Sequence, residues 1–187
     1  EFQRRKQERM GMKKAIAAAA ADMVRDGDTL FINSGTTTYF TAVELKKRKN
    51  INVVTNSISV AIELGGLPTF RVILLGGDIS AQYSFTYGED VKEQIARYRA
   101  NWAILSVDGV NPGTGVTTYH AEESVIDRIM MERAAQAIIV ADSTKLGRES
   151  FSRISALTSG TVLISDHAAD PILVERIAKE GVEVQLV

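Results

Sequence analysis

The chain has 187 residues, 22 Lys and Arg against 23 Asp and Glu, and a formal net charge of -1. Hydrophobic residues make up 45% and charged residues 24%, which is typical of one globular domain and excludes a disordered or low-complexity chain. The absence of cysteine excludes disulfides, thiolate nucleophiles and thiolate metal sites, and the near-neutral charge excludes a global basic field for nucleic acid.

The longest apolar run, 15–21, is far shorter than the ~20 residues of a membrane-spanning helix. Because it is also rich in Ala and contains no Leu, it is more typical of a helix in a soluble protein than of a signal peptide. Together with the lack of cysteine, this favours a cytoplasmic location.

The first 14 residues carry an uneven share of the basic side chains. Six cations stand against Glu1 and Glu8: Arg4, Arg5, Lys6, Arg9, Lys13 and Lys14. The pattern favours a solvated helix start over a nucleic-acid-binding role. We therefore expect a basic connecting segment at 1–14 and a folded domain at 15–187.

From Met10 onwards, the apolar spacing alternates between the period of a helix and short continuous runs. The first helix has Ile16, Ala20 and Met23 on one face and ends at Asp26-Gly27-Asp28. Further helices are predicted at 36–47, 57–64, 91–97, 122–135 and 171–179. Strands are predicted at 29–32, 51–55, 71–75, 102–107, 137–141, 161–164 and 182–186. The sequence predicts an irregular segment at 78–90 and a long loop at 109–118.

Most of the predicted strands are continuous apolar runs, which is typical of strands buried on both faces of a parallel sheet. About seven strands that alternate with helices predict an α/β fold. We expect an open, mostly parallel sheet with helices on both faces.

Six of the strands are followed directly by small and polar residues. The carboxyl ends of parallel strands meet at one edge of the sheet, where ligands bind in open α/β folds. One such cluster is commonly a turn with a helix cap, but six on one edge predict a binding site. The clusters are 33–38, 55–57, 76–78, 108–109, 142–145 and 165–166.

The sharpest cluster is Asn33-Ser34-Gly35-Thr36-Thr37-Thr38. Gly35 is expected to permit a positive φ and a close backbone approach. Hydroxyls and free N–H groups at a helix start suit a phosphate or a carboxylate, although a simple Ser or Thr N-cap is the alternative. No Lys follows the glycine as in a Walker A loop, and no G-x-G-x-x-G occurs, so neither a nucleoside triphosphate nor a dinucleotide site is indicated.

The other clusters add candidates at the same edge. Gly76-Gly77 would let a ligand or another strand lie against bare backbone. Asp108 would accept hydrogen bonds from sugar hydroxyls or merely begin a turn, and Lys145 would attract an anion or stay solvated. The histidines, His120 and His167, lack ligand spacing, and no G-x-S-x-G occurs, so we predict no metal, no cofactor and no catalytic residue.

A series of short motifs also runs along the chain in a fixed order: Gly27-Asp28, Ser34-Gly35-Thr36-Thr37, 53–57, 74–77, Gly88, Asp108-Gly109, 115–117, 141–145 and 164–166. This ordered series resembles the C-terminal sensor domain of DeoR-family transcriptional regulators, from about Arg9 to Val187.

The resemblance implies the fold of ribose-5-phosphate isomerase and CoA transferases, and a repressor domain that binds a phosphorylated sugar or a related intermediate of sugar catabolism. It implies that a winged helix-turn-helix domain precedes the sensor domain and alone contacts operator DNA. The protein is expected to form a homodimer or homotetramer, because paired DNA half-sites call for a symmetric reader. The effector-binding residues that it implies are Asn33, Ser34, Gly35, Thr36, Thr37, Thr38, Asn56, Gly76, Gly77, Asp108, Gly109, Thr117 and Lys145.

The sequence departs from the family pattern at three places, and the same fold also hosts enzymes. Asn33 stands where the family usually has Asp, Asp127-Arg128 replaces a basic pair, and Lys145-Leu146-Gly147 replaces the usual Lys-Phe-Gly. The rival hypothesis is a sugar-phosphate isomerase or deaminase, in which Asp108 or Glu122 would be the base.

Overall fold

The computed structural model describes residues 1–187 and contains seven helices and twelve strands. The helices are α1 (Phe2–Gln7), α2 (Met10–Met23), α3 (Thr36–Leu45), α4 (Ile58–Leu64), α5 (Glu89–Ile95), α6 (Ala121–Arg133) and α7 (Pro171–Lys179). The strands are β1 (Thr29–Ile32), β2 (Asn52–Thr55), β3 (Arg71–Leu74), β4 (Asp78–Ser80), β5 (Phe85–Tyr87), β6 (Ala100–Ser106), β7 (Gly109–Asn111), β8 (Gly115–Thr118), β9 (Ala134–Val140), β10 (Ser152–Ser155), β11 (Thr161–Ser165) and β12 (Glu183–Leu186). A turn of 3₁₀ helix covers Ser143–Lys145.

Seven strands form one sheet in the order β12–β11–β9–β6–β1–β2–β3, and every neighbouring pair is parallel. The predicted open parallel sheet is therefore confirmed. From β1 the chain adds β2 and β3 on one side, and it then crosses to β6 on the other side. The topological switch point, where open sheets of this kind bind ligands, consequently lies between β1 and β6.

Successive side chains of a strand point to opposite faces of the sheet. Because these strands are apolar on both faces, helices cover both faces. In β1, Leu30 and Ile32 pack with α2, α3 and α4, whereas Phe31 packs on the opposite side with residues of α5, α6 and α7. The two apolar clusters contain 17 and 22 buried residues, so both faces are sealed against water and the sheet edge is left for polar groups.

Three predictions about local structure are wrong: two concern connections and one concerns the end of a helix. Segment 78–90 contains the antiparallel hairpin β4–β5, and 109–118 contains β7 and β8, which form a second small sheet with the unpredicted β10. Residues 134–135, predicted to end a helix, begin β9 instead. These strands are only three or four residues long apart from β9, so they show too little alternation to be distinguished from loops.

The amino-terminal residues fold back over the carboxyl ends of the strands, where Arg5 contacts Asp108 after β6. Phe2 is buried with its ring 6.0 Å from that of Tyr39, in an edge-to-face arrangement. The junction between α1 and α2 is Arg9, whose φ of 52° and ψ of 35° place a non-glycine residue in the left-handed region. That conformation costs roughly 1–2 kcal/mol, so packing of α1 against the domain must outweigh it.

Candidate functional site

A polar cleft lies at the switch point, where the carboxyl ends of β1, β6 and β9 meet and α1 lies across them. It contains two adjoining cavities of about 20 and 80 Å³, and Arg5, Thr36, Ser106 and Val107 line both. The larger cavity has room for a phosphate group, since a single water needs roughly 10–15 Å³ on this scale.

The larger cavity is bordered by the start of α3. The side chains of Thr36 and Thr37 are buried, and the backbone N–H groups of Thr36, Thr37 and Thr38 donate to no other group of the protein. Gly35 is the N-cap and supplies no side-chain acceptor. Unused donors at the positive end of a helix dipole attract an anion.

The expected reason for a glycine at position 35 is wrong in one respect. Its φ is 172°, which is extended backbone that any residue adopts, rather than a positive φ. Its close approach to the end of β6 instead explains the glycine, because a Cβ there would lie 2.4 Å from Ser106 Cβ and 2.6 Å from Ser106 Oγ.

Asp108, which follows β6, is the centre of charge in the cleft. Its Oδ1 lies 3.1 Å from an Arg5 nitrogen and 3.6 Å from Lys145 Nζ, and its Oδ2 accepts the Tyr119 N–H at 3.0 Å. Burial raises the pKa of Asp108, but Arg5, the Tyr119 N–H and Lys145 together outweigh it and hold the pKa below its usual value. Asp108 is therefore a carboxylate that fixes two cations in the cleft.

The turn after β9 supplies the opposite wall of the larger cavity. Asp142 accepts the Thr144 N–H at 3.0 Å and lies 3.6 Å from Arg9 Nε. Asp166, after β11, accepts the Ser143 N–H at 2.7 Å and so braces the same turn from behind. These contacts hold Lys145 where it faces both the cavity and Asp108.

Six of the thirteen predicted effector-binding residues line the cleft: Ser34, Gly35, Thr36, Thr37, Asp108 and Lys145. Ser34 Oγ also donates to the Tyr83 carbonyl at 3.2 Å. The structure thus brings together residues from the first, fourth and fifth polar clusters, which follow β1, β6 and β9.

Five other predicted residues support the frame around the cleft. Asn56 is fully buried and donates to the Thr86 carbonyl at 3.2 Å. The Gly76 backbone bonds to Gln94, and a Cβ on Gly77 would lie 2.4 Å from the Tyr87 carbonyl oxygen. Gly109 and Thr117 are paired in the small sheet, where Thr117 Oγ1 accepts the Ser150 N–H at 2.9 Å.

The remaining two, Asn33 and Thr38, bond internally. Asn33 Oδ1 accepts the Ser106 N–H at 2.8 Å, and its Nδ2 donates to the Ser106 carbonyl at 2.9 Å and to Asp127 Oδ2 at 3.1 Å. Thr38 Oγ1 lies 3.1 Å from the Asn33 carbonyl oxygen. Two of the departures from the family pattern, Asn33 and Asp127, are therefore partners in one buried contact.

Asp127 and Glu123 lie on one face of α6 and are both buried, and Glu123 also lines the smaller cavity. Burial raises the pKa of Asp127 to about 8, with the Asn33 hydrogen bond opposing and Asp108 adding to the rise. Burial, with Asp127 and Asp108 nearby, also raises the pKa of Glu123 well above its usual value. Burial therefore favours the protonated form of both carboxyl groups.

Sequence reasoning missed the part of α1 and α2 that lines the cleft. Arg5 lines both cavities, and Arg9 and Lys13 line the larger one. One signal was present: Lys13 lies three, four and seven residues before Ile16, Ala17 and Ala20, on the buried face of α2. Ser106 and Glu123 carried no comparable signal.

The model of the DeoR C-terminal sensor domain matches residues 8–167. The chain belongs to this family. The match covers the parallel sheet through β11 and all of the cleft residues except Phe2 and Arg5 on α1.

Two relatives of this chain are named as repressors. It is 31% identical over 172 residues to the HTH-type transcriptional repressor GlcR of Bacillus subtilis (strain 168), covering 92% of this chain and 66% of the relative. It is 30% identical over 176 residues to a putative aga operon transcriptional repressor of Escherichia coli O157:H7, covering 94% and 65%. The sensor domain thus spans just under two thirds of each relative.

Solved structures support the fold. The sensor domain is similar to ribose 5-phosphate isomerase from Plasmodium falciparum with a TM-score of 0.53 and 15% identity, over 76% of this chain and 53% of that one. At this identity the likeness shows the fold alone.

No helix has the length and apolar character that crossing a membrane requires.

Proposed function

We propose that this chain is the effector-sensing domain of a transcriptional repressor of sugar catabolism and that its effector is a phosphorylated sugar. The observation that carries the proposal is the set of three unused N–H groups on buried residues at the start of α3, beside a cavity with several cations. A phosphate group satisfies these donors and the charge together.

Each cleft residue then has a chemical role. The N–H groups of Thr36 and Thr37 and the Lys145 ammonium bind phosphate oxygens. Asp108 accepts hydrogen bonds from sugar hydroxyls, and Ser34 lies on the same side of the cleft. The residues that brace the frame, such as Asn56 and Gly77, act on the effector only through the positions of these groups.

The relatives support the regulatory half of the proposal. One is named for the aga operon, and a further relative, 28% identical, is the glycerol-3-phosphate regulon repressor of Escherichia coli (strain K12). We infer that operator DNA is bound by a separate domain in the part of the protein that these relatives have beyond the match, and that effector binding alters that contact. A homodimer or homotetramer, measurable by sedimentation, belongs to the same proposal.

The enzyme alternative has weaker support. A base that removes a proton next to a carbonyl needs a pKa near the working pH. Asp108 has a lowered pKa and is held by two cations, and Glu122 is exposed and lines neither cavity. Neither of the two bases that the enzyme hypothesis names therefore meets this requirement, and the repressor names of the relatives favour a regulator.

The test is calorimetric titration with glucose 6-phosphate, galactose 6-phosphate, ribose 5-phosphate and glycerol 3-phosphate, each paired with its unphosphorylated form. Thr36→Pro is the sharp variant, because proline is tolerated at the first helical position but lacks the N–H. Thr36→Ala keeps that N–H and is the matched control.

Thr36→Pro is expected to weaken the tightest sugar phosphate by about 10- to 150-fold, the value of one hydrogen bond to a charged group, while Thr36→Ala loses less. Wild-type protein that binds phosphorylated and free sugars equally would refute the proposal. If Thr36→Pro bound the sugar phosphate with unchanged affinity, the phosphate would not be bound at the start of α3.

A further inference from the structure

Lys13 is the one Lys or Arg side chain that the fold buries, with 7% of its surface exposed. It lies on the face of α2 that also buries Ile16 and Ala17, and its ammonium has no carboxylate within ion-pair distance. A buried charge without an opposite charge is costly, so its position calls for an explanation.

The Lys13 ammonium faces the cavity at the start of α3. Nζ donates one hydrogen bond to the Arg5 carbonyl, which leaves two of its three N–H donors for other partners. Burial lowers the pKa of Lys13, and Asp142, across the cavity, opposes that shift. Thr36 and Thr37 line the same cavity.

The charged groups around this cavity favour an anion. Four that line it are cationic, Arg5, Arg9, Lys13 and Lys145, and two are anionic, Glu8 and Asp142, so 4 minus 2 leaves a net charge of +2. The Asp108 carboxylate, which contacts two of these cations from the smaller cavity, reduces this net charge to +1. A phosphate monoester carries roughly −1.5 to −2 at neutral pH. Three of the four cations belong to residues 1–14, and one belongs to the turn after β9.

We propose that Lys13 binds the effector phosphate directly, so that the basic segment 1–14 forms one wall of the effector site. This rests on the proposed function, because the phosphate that Lys13 would bind is the one at the start of α3. The segment is then a part of the sensor rather than a connection, and effector binding holds α1 and α2 to the ends of β1, β6 and β9.

The matched pair of variants is Lys13→Met and Lys14→Met. Both remove one positive charge from α2 at adjacent positions, but Lys14 is exposed and its ammonium lies 5.8 Å from the Phe40 ring centre, away from both cavities. Each variant is titrated with inorganic phosphate and with the tightest sugar phosphate of the panel, at fixed ionic strength.

Lys13→Met is expected to weaken both ligands by about 10- to 150-fold, and Lys14→Met to stay within about 2-fold of wild type. Equal affinities for the two variants, whether both fall or neither does, overturn the proposal. If Thr36→Pro weakens binding while Lys13→Met does not, the phosphate site stands and only the role of Lys13 fails. If wild type binds no phosphorylated ligand, both fail.

A second measurement on the wild-type protein decides the matter if Lys13→Met does not fold. Hydrogen exchange with and without phosphate is expected to slow at the amides of 9–14 as well as at 36–38, because Lys13 would join the two segments through the ligand. Protection confined to 36–38 would overturn the proposal.

Discussion

Gly35→Ala tests whether the close approach of α3 to β6 explains the glycine. The new Cβ would lie 2.4 Å from Ser106 Cβ, whereas carbon atoms in contact are ~3.5–4.0 Å apart, so the two backbones must separate by more than ~1 Å. Overpacking of this kind costs about 1–3 kcal/mol. At about 2–4 °C per kcal/mol for a chain of this size, the melting temperature should fall by roughly 2–12 °C.

The assay is thermal unfolding followed by circular dichroism, with Gly66→Ala as control. No atom lies within 4 Å of the position that a Cβ on Gly66 would take, and the φ of Gly66 is not positive, so the control should melt close to wild type. In the double variant Gly35→Ala/Ser106→Gly, the removed hydroxymethyl group makes room, and the two changes should compensate each other in a mutant cycle. A Gly35→Ala protein that melts like wild type, or additive losses in the double variant, would refute the steric explanation.

Three further outcomes concern stability. Because the folded state holds the Asp127 proton up to about pH 8 and the unfolded state releases it near 3.8, stability should fall as pH rises between these values, by up to about 1.4 kcal/mol per unit. Melts from about pH 5 to 8 should show a shallower decline for Asp127→Asn. Gly11→Ala, inside α2 with open space at its Cβ, should stabilise by about 0.5–1 kcal/mol in urea unfolding. Asp170→Ala, which removes the cap on the Ile172 N–H, should cost about 1 kcal/mol in the same assay.

The sheet was predictable because its signal is local. Strand segments such as Leu30–Ile32 and Ile138–Val140 are buried on both faces, so continuous apolar runs in the sequence identified the strands. The polar residues that follow these runs identified the carboxyl end of the sheet as the side where a ligand would bind. The small sheet was not predictable. Val110 pairs with Val116 across a turn at Gly113, and three-residue strands bounded by glycines have the same sequence pattern as a loop.

The composition of the site depended on long-range contacts that the sequence does not display. Asn33 and Asp127 are 94 positions apart, yet they share a hydrogen bond that takes the Asn33 amide out of the cleft. Asn56 and Gly77 follow strands like the true cleft residues, but β2 and β3 lie on the far side of β1 from β6. Only the order of strands in the sheet separates the two groups.

The left-handed conformation of Arg9 also has a mechanical consequence. Helical residues lie on both sides of Glu8 and Arg9, and these two alone interrupt the pattern from Phe2 to Met23. If both adopted right-handed helical angles, residues 2–23 would form a single rod of 22 residues, about 33 Å long at 1.5 Å per residue. Its first eight residues would project about 12 Å beyond Met10 instead of lying over the cleft. The φ of Glu8 is already helical at -68°, so rotation about three backbone bonds, Glu8 ψ and Arg9 φ and ψ, would move the amino terminus away from the ligand cleft.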